Sequence, residues 1–192
     1  MNFLHNIDQE IFFFLNHTLH GSFLNALMPL WRSMYFWFPM YVFLISFIIF
    51  NYRKKGVMLL LALTLTVGIS DTMSSKIIKK TVQRLRPCNN PDIKDKVKNL
   101  VKCGSGFSFP SSHATNHFAV AAFFIFTFFR RKKWLKMGLL AWASTIALGQ
   151  VFVGVHYPSD ILFGGLLGFS IGFLISFLFK KYYSEVYTDV VL

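Results

Sequence analysis

The chain is 192 residues long, 54% hydrophobic and 15% charged, with 24 phenylalanines, against roughly 45–50% apolar and about 25% charged in a soluble domain. The apolar excess sits in blocks close to the ~20 residues that cross a bilayer core, which excludes an ordinary soluble globule, a disordered chain and a disulfide scaffold. Twenty Lys+Arg against eight Asp+Glu give +12, a charge that in so apolar a chain points to topology, lipid headgroups or an anionic substrate, not to nucleic acid.

The reading in chain order is an all-α, polytopic transmembrane bundle forming a single domain over residues 1–192. No secretory leader is expected, because Met1-Asn2-Phe3-Leu4-His5 lacks a basic start and no small-residue cleavage site follows. Residues 1–32 carry the short apolar run Ile11-Phe12-Phe13-Phe14-Leu15, then Asn16, His17, Thr18, His20, Ser22 and Asn25. That is too polar for a lipid-exposed span. It predicts an interfacial amphipathic segment of two short helices, with a sixth span as the alternative. Five spans are expected: Met34 to Phe50, Val57 to about Ser75, Ala114 to Phe129, Met137 to Val155 and Ile161 to Phe179. The last carries Gly164, Gly168 and Gly172 at four-residue spacing, which lets helix backbones approach closely and reads as packing within the chain before a dimer seam.

Five spans sort the basic residues by side. Arg53-Lys54-Lys55, Arg130-Arg131-Lys132-Lys133 with Lys136, and Lys180-Lys181 fall on one side in short, dense clusters, which places that side in the cytoplasm. Lys76, Lys79, Lys80, Arg84, Arg86, Lys94, Lys96, Lys98 and Lys102 fall on the other, in or beside an extracytoplasmic loop over 76–112, and Arg32 stands beside the first span. Topology does not explain this second group.

Three segments on that second side carry reactive groups. In Lys79-Lys80-Thr81-Val82-Gln83-Arg84-Leu85-Arg86-Pro87, Lys79 and Arg86 are two helical turns apart, and Pro87 predicts a helix ending at Arg86. Read alone, this is equally a basic stretch against lipid headgroups. In Phe109-Pro110-Ser111-Ser112-His113, either serine can cap a helix whose exposed amides favour an anion. A capped helix with an interfacial histidine is the blander reading. In Gly154-Val155-His156-Tyr157-Pro158-Ser159-Asp160, an Asp four residues after a His can fix its tautomer and free the other ring nitrogen for attack. A polar turn is the alternative. Together, cations and amides for phosphate oxygens, a nucleophile and an acid are the parts that phosphoryl transfer needs.

These segments resemble the three-part signature of the type 2 phosphatidic acid phosphatase superfamily of membrane lipid phosphatases: Lys-x6-Arg-Pro, Pro-Ser-Gly-His, and Ser-Arg-x5-His-x3-Asp. The chain has Lys79-x6-Arg86-Pro87, Pro110-Ser111-Ser112-His113, and Gly149-Gln150-x5-His156-x3-Asp160, and the likeness covers about residues 57–180. The resemblance implies that His156 is the nucleophile of a phosphohistidine and that Asp160 orients it. It implies that His113 protonates the leaving oxygen, and that Lys79, Arg86, the Ser111 hydroxyl and nearby amides hold the phosphate. No metal or other cofactor is expected. The implied partners are a lipid phosphate and the surrounding membrane lipids, with no nucleic acid. The implied location is a bacterial inner membrane with the site facing the periplasm or exterior. The implied substrate is undecaprenyl diphosphate first. Lipid A, phosphatidylglycerol phosphate or phosphatidic acid are alternatives, as is a catalytically impaired lipid-phosphate-binding relative.

Two positions depart from the signature. Ser112 replaces the glycine of the second motif, and its amide can still donate. Gln150 replaces the arginine of the third, exchanging a charge-assisted fork for a neutral amide. Gln150 is expected to donate one hydrogen bond to the phosphate, with Arg84, Lys80 or a loop lysine compensating. His117 is expected to pack or support His113, and Asp71 to lie at the interface or pair with a neighbouring lysine. Cys88 and Cys103 permit a disulfide on an oxidising face, two free thiols being the other outcome. The loop from Asn89 to Gly106 reads as a solvated face or as a short amphipathic lid.

Overall fold

The computed structural model describes residues 2–129 and 131–183, and no strand occurs among the described residues. Met1, Arg130 of the second basic cluster and residues 184–192 lie outside the described residues. Residues 1–32 form the two short helices their polarity predicts: α1 (Asn2–Thr18) and α2 (Ser22–Trp31). Neither lies loose on the bundle. Phe12 of α1 is fully buried in a cluster with Ile93, Ala114, Ala147, Val151, Tyr157 and Ile161, which joins α1 to the later helices.

α3 (Met34–Asp71) starts at Ser33, whose Oγ accepts from Tyr35 N at 3.3 Å. It is broken at Arg53, where φ is 48° and ψ −126°. Residues eight apart in a straight helix lie about 12 Å apart. Here a Cβ on Gly56 would sit 2.5 Å from the Ile48 carbonyl oxygen. The chain therefore folds back at Arg53-Lys54-Lys55, and Ile48 and Leu59 meet across the reversal in one apolar cluster with Phe123, Ile175 and Phe179. Glycine at position 56 is what lets the two limbs touch.

The second limb runs into a π-helical segment, Thr72–Ile78, and then into α4 (Lys79–Val82). Single π turns inside helices are frequent at functional sites, because the extra residue re-aims the side chains around it. The helix stops at Val82, not at Arg86 as Pro87 suggests. Gln83 adopts a left-handed conformation (φ 53°, ψ 31°), and its Nε2 donates to the Lys80 carbonyl at 3.0 Å.

α5 (Ser112–Thr127) is the central helix, with Ala114, Ala119, Ala121, Ala122 and Phe123 fully buried. α6 (Lys133–Phe152) and α7 (Pro158–Tyr182) flank it. A Cβ on Gly164 would lie 2.7 Å from the Ser111 carbonyl oxygen, and one on Gly168 or Gly172 would strike the Thr115 or Ala119 carbonyl. The glycine stripe thus seats α7 on α5 within one chain. Three stretches are long and apolar enough to cross a membrane: Met34–Asn89, which contains the reversal at Arg53, Lys133–Phe152 and Pro158–Tyr182.

The loop between α4 and α5 is pinned, not a free lid. Cys88 and Cys103 form a disulfide with 6.0 Å between Cα atoms. Asn16 of α1 grips the backbone of Lys98 at both ends, donating to its carbonyl (3.0 Å) and accepting from its amide (2.9 Å), and also donates to the Phe152 carbonyl at 2.9 Å. Ile93 is buried against Phe12.

Candidate active site

The turn between α6 and α7 carries the third motif. Gly154 has φ +87°, and a Cβ there would fall 2.8 Å from Val97 Cγ1 and 3.0 Å from the Lys98 carbonyl oxygen. Only glycine suits both that dihedral and that contact. The amides of Val155 and His156 both donate to the Gln150 carbonyl, at 3.1 and 3.3 Å. Pro158 then opens α7, and the Asp160 carboxylate folds back so that Oδ2 accepts from the Tyr157 amide at 2.8 Å. The same oxygen accepts from His156 Nδ1 at 3.4 Å. Nδ1 therefore carries the proton and Nε2 is the free, nucleophilic nitrogen. His156 is 1% exposed. Burial pulls its imidazole down to about 4, against the Asp160 carboxylate, which works in the opposite direction. The ring is neutral at ordinary pH, the form a nucleophile needs.

Asp160 is held from its other side by an arginine for which sequence reasoning offered a different use. Arg84 Nη1 donates to Asp160 Oδ1 at 2.8 Å and to Ser159 Oγ at 2.7 Å, and Nη2 donates to Asp8 Oδ2 at 2.6 Å. Asp8 in turn accepts from the Ser159 amide (2.8 Å) and hydroxyl (2.5 Å). The Arg84 guanidinium lies 3.9 Å from the centre of the Tyr157 ring. Its hydrogen bonds run to Asp8, Ser159 and Asp160, so its guanidinium anchors the Asp160 carboxylate.

The second motif starts α5. Ser111 is the N-cap, its Oγ accepting from Ala114 N at 3.5 Å, and its amide donates to the Asp160 carbonyl at 3.0 Å, tying the starts of α5 and α7 together. Ser75, in the π segment, donates to Asp71 Oδ1 at 3.0 Å and lies 2.9 Å from Ser112 Oγ. With the Ser75 proton directed at Asp71, Ser112 is the donor to Ser75. The Ser112 side chain is thus engaged, and Asp71 pairs with Ser75 and, at 3.4 Å, with Asn116. His117 Nδ1 donates to the His113 carbonyl at 2.7 Å, bracing the turn that carries His113.

The first motif converges by the redirected backbone, not by helical spacing. Arg86 Nε donates to the Gly106 carbonyl at 2.9 Å, and its guanidinium lies against Gly104. Lys79 is within electrostatic reach of Arg86, Asp160 and Asp71, and His113 within reach of His156, Lys79 and Arg32. His113, His156, Lys79, Arg86 and Asp160 therefore come together. Gln150 is fully buried, and its amide oxygen accepts from Arg32 Nε at 3.0 Å. Asp8, Asn16, Arg32 and Ser159 complete the surroundings of the site, and sequence reasoning gave none of them a part in it.

Comparison with known proteins gives the family. A family model described as the PAP2 superfamily matches residues 55–183. A lipid A 4'-phosphatase of Bacteroides thetaiotaomicron is 33% identical over 174 residues, covering 88% of this chain and 75% of that protein. An undecaprenyl-diphosphatase of Sulfolobus acidocaldarius is 28% identical over 165 residues, covering 83% and 72%. The crystal structure of a transmembrane PAP2-type phosphatidylglycerolphosphate phosphatase from Bacillus subtilis superposes with a TM-score of 0.69 at 27% identity, over 96% of this chain and 88% of that one. With a family model across most of the chain and the helices of a solved relative beneath it, the chain belongs to the PAP2 superfamily and is a membrane lipid phosphatase.

Proposed function

We propose that the enzyme hydrolyses a lipid phosphomonoester through a phosphohistidine on His156, with a lipid A phosphate as the favoured substrate. The observation that carries the mechanism is the His156–Asp160 pair, in which the Asp160 carboxylate accepts a hydrogen bond from the protonated Nδ1 and leaves Nε2 free. Nε2 attacks phosphorus, and the bond from phosphorus to the lipid oxygen breaks. His113 gives that oxygen its proton, so the lipid leaves as an alcohol. His113 then takes a proton from water, whose oxygen attacks the phosphohistidine and releases inorganic phosphate and neutral His156. Lys79, Arg86 and the amides at the start of α5 hold the phosphate oxygens, where pre-placed donors act most strongly on the charge of the pentavalent state.

Substrate preference follows the likeness to the Bacteroides protein, 33% over 88% of the chain. Undecaprenyl diphosphate, which the motifs alone favoured by family analogy, is the second reading and is supported by the Sulfolobus relative. A catalytically impaired relative is the weaker reading, because the His156–Asp160 pair is intact. The bundle is proposed to cross an inner membrane five times, with α1, α2 and the disulfide-closed loop on the outer face. That orientation fits the Cys88–Cys103 bond, which requires an oxidising compartment.

The test is phosphate release by the purified protein from lipid A, undecaprenyl diphosphate and phosphatidylglycerol phosphate, with His156→Ala alongside. Release from lipid A at the highest kcat/KM, abolished by His156→Ala, is expected. Release that survives His156→Ala refutes the nucleophile, and faster turnover of undecaprenyl diphosphate refutes the substrate preference.

A further inference from the structure

The third motif lacks its arginine, yet the site does not lack a third cation. Arg32 lies at the end of α2, before the first long helix and outside the residues matched by the family model. In sequence it reads as a basic residue at a membrane boundary. In the fold its Nε donates to the buried Gln150 oxygen at 3.0 Å, across 118 positions of chain. Gln150 is itself held by its helix, Nε2 reaching back to the Ile146 carbonyl at 3.4 Å. The amide is therefore oriented with its oxygen toward the arginine.

Three further observations give this arginine a direction. Its two terminal nitrogens have no protein hydrogen-bond partner among the described residues, which leaves the outer fork of the guanidinium free for an anion. Its charge acts on His113, and the charge of Arg86 acts on it, so it lies within electrostatic reach of two groups that would flank a phosphate. Burial foremost, then Arg86, lowers its proton affinity, and an anion set between the two arginines would relieve that repulsion. The neighbouring Gly149 lies beside the same arginine: a Cβ there would stand 3.9 Å from Arg32 Cβ, in ordinary van der Waals contact. Glutamine at 150 aims an arginine supplied by another helix.

We infer that Arg32 is the third phosphate-binding cation of this enzyme, positioned by Gln150 and delivered from the N-terminal segment in place of the third-motif arginine. The inference rests on the proposed reaction and deepens it. The guanidinium fork grips two phosphate oxygens and gains most when charge builds on them in the pentavalent state. Arg32→Ala is then expected to lower kcat/KM by about 10²–10³-fold, the scale of a lost oxyanion donor. Gln150→Ala, which removes only the aim, is expected to lower it less.

The decisive variant is the exchange Arg32→Ala with Gln150→Arg, which returns the cation to the α6 backbone. Recovery of at least tenfold over Arg32→Ala alone supports the inference, since restoring a merely structural contact would not do this. An Arg32→Ala rate within threefold of wild type, or an exchange no better than the single variant, overturns it. Where Arg32→Ala does not fold, by its melting temperature in detergent, Arg32→Lys is used. A tenfold loss supports the fork and no loss refutes it. Orthovanadate binding to the unreacted protein separates this inference from the reading beneath it. If the wild type releases phosphate from no lipid, the proposed function fails. Arg32 is then judged on vanadate alone, tenfold weaker binding by the variant supporting it and unchanged binding overturning it.

Discussion

Replacing Arg84 with methionine removes one guanidinium and strands two carboxylates. Asp160 is fully buried, whereas the side chains of Arg84 and Asp8 keep 19% and 10% exposure. Breaking a buried pair by removing one partner costs about 3–5 kcal/mol, because the other charge remains in a low dielectric. The more exposed Asp8 arm adds about 1 kcal/mol or less. For a chain of this length each kcal/mol moves the melting temperature by roughly 2–4 °C, so Arg84→Met should lower it by roughly 6–24 °C. Intrinsic fluorescence melting of the detergent-solubilised protein reads that shift. Adding Asp8→Asn should cost less than the sum of the two single changes, since both act on one network. Vanadate affinity of the folded variant should change far less than in the Arg32 variants. A melting shift under 2 °C together with a large loss of vanadate affinity would refute the reasoning, because Arg84 would then be a phosphate ligand and not the anchor of Asp160.

Three more outcomes follow from the geometry. Since burial holds the His156 imidazole at about 4, the ring stays neutral as pH falls through 6.5 and becomes a cation only near 4. A histidine NMR titration of the resting enzyme, with His156→Ala for assignment, should show this, and a His156 midpoint near 6.5 would contradict it. Alkylation should add mass to Cys88 and Cys103 only after reduction, and opening that 15-residue loop should cost roughly 3 kcal/mol of stability. Equal labelling with and without reductant would exclude the bond. Gly168→Ala should destabilise by about 1–3 kcal/mol because its methyl meets the Thr115 carbonyl. Gly138→Ala, with nothing within 4 Å, should be neutral or stabilising, and similar melting temperatures for the two would refute the α5–α7 seat.

The parts of the site that sequence made legible are those fixed by short spacing. His156 and Asp160 are four apart across a proline that starts a helix, so local geometry nearly dictates their pairing. Ser111 reads as a cap because it precedes an apolar run. Arg86 comes within electrostatic reach of Lys79, but not through the helical spacing that the sequence suggests, since Pro87 marks only the latest point at which the helix can end. Gln83 ends it earlier, by a left-handed turn that nothing in its residue type demands. The loop's alternating lysines hid the fact that its backbone is held by Asn16, because a side-chain grip on a distant main chain leaves no local pattern. Arg32 and Asp8 were illegible for the same reason. Each completes its partner from more than a hundred positions away, and their residue types suit an interface equally well.

The docking of the N-terminal segment also sets an order of events. Asp8 binds Ser159 across 151 positions, Asn16 binds Phe152 across 136 and Arg32 binds Gln150 across 118. These three contacts therefore cannot form until α6 and the start of α7 are in place. Closing loops this long yields contacts late in folding, after the local helix pairs have formed. The Asp8 contact with Ser159 and the Arg32 contact with Gln150 are thus among the last to form. On the proposed reaction, a chain lacking them holds His156 without Arg32, and hydrolysis stays slow until the N-terminal helices dock.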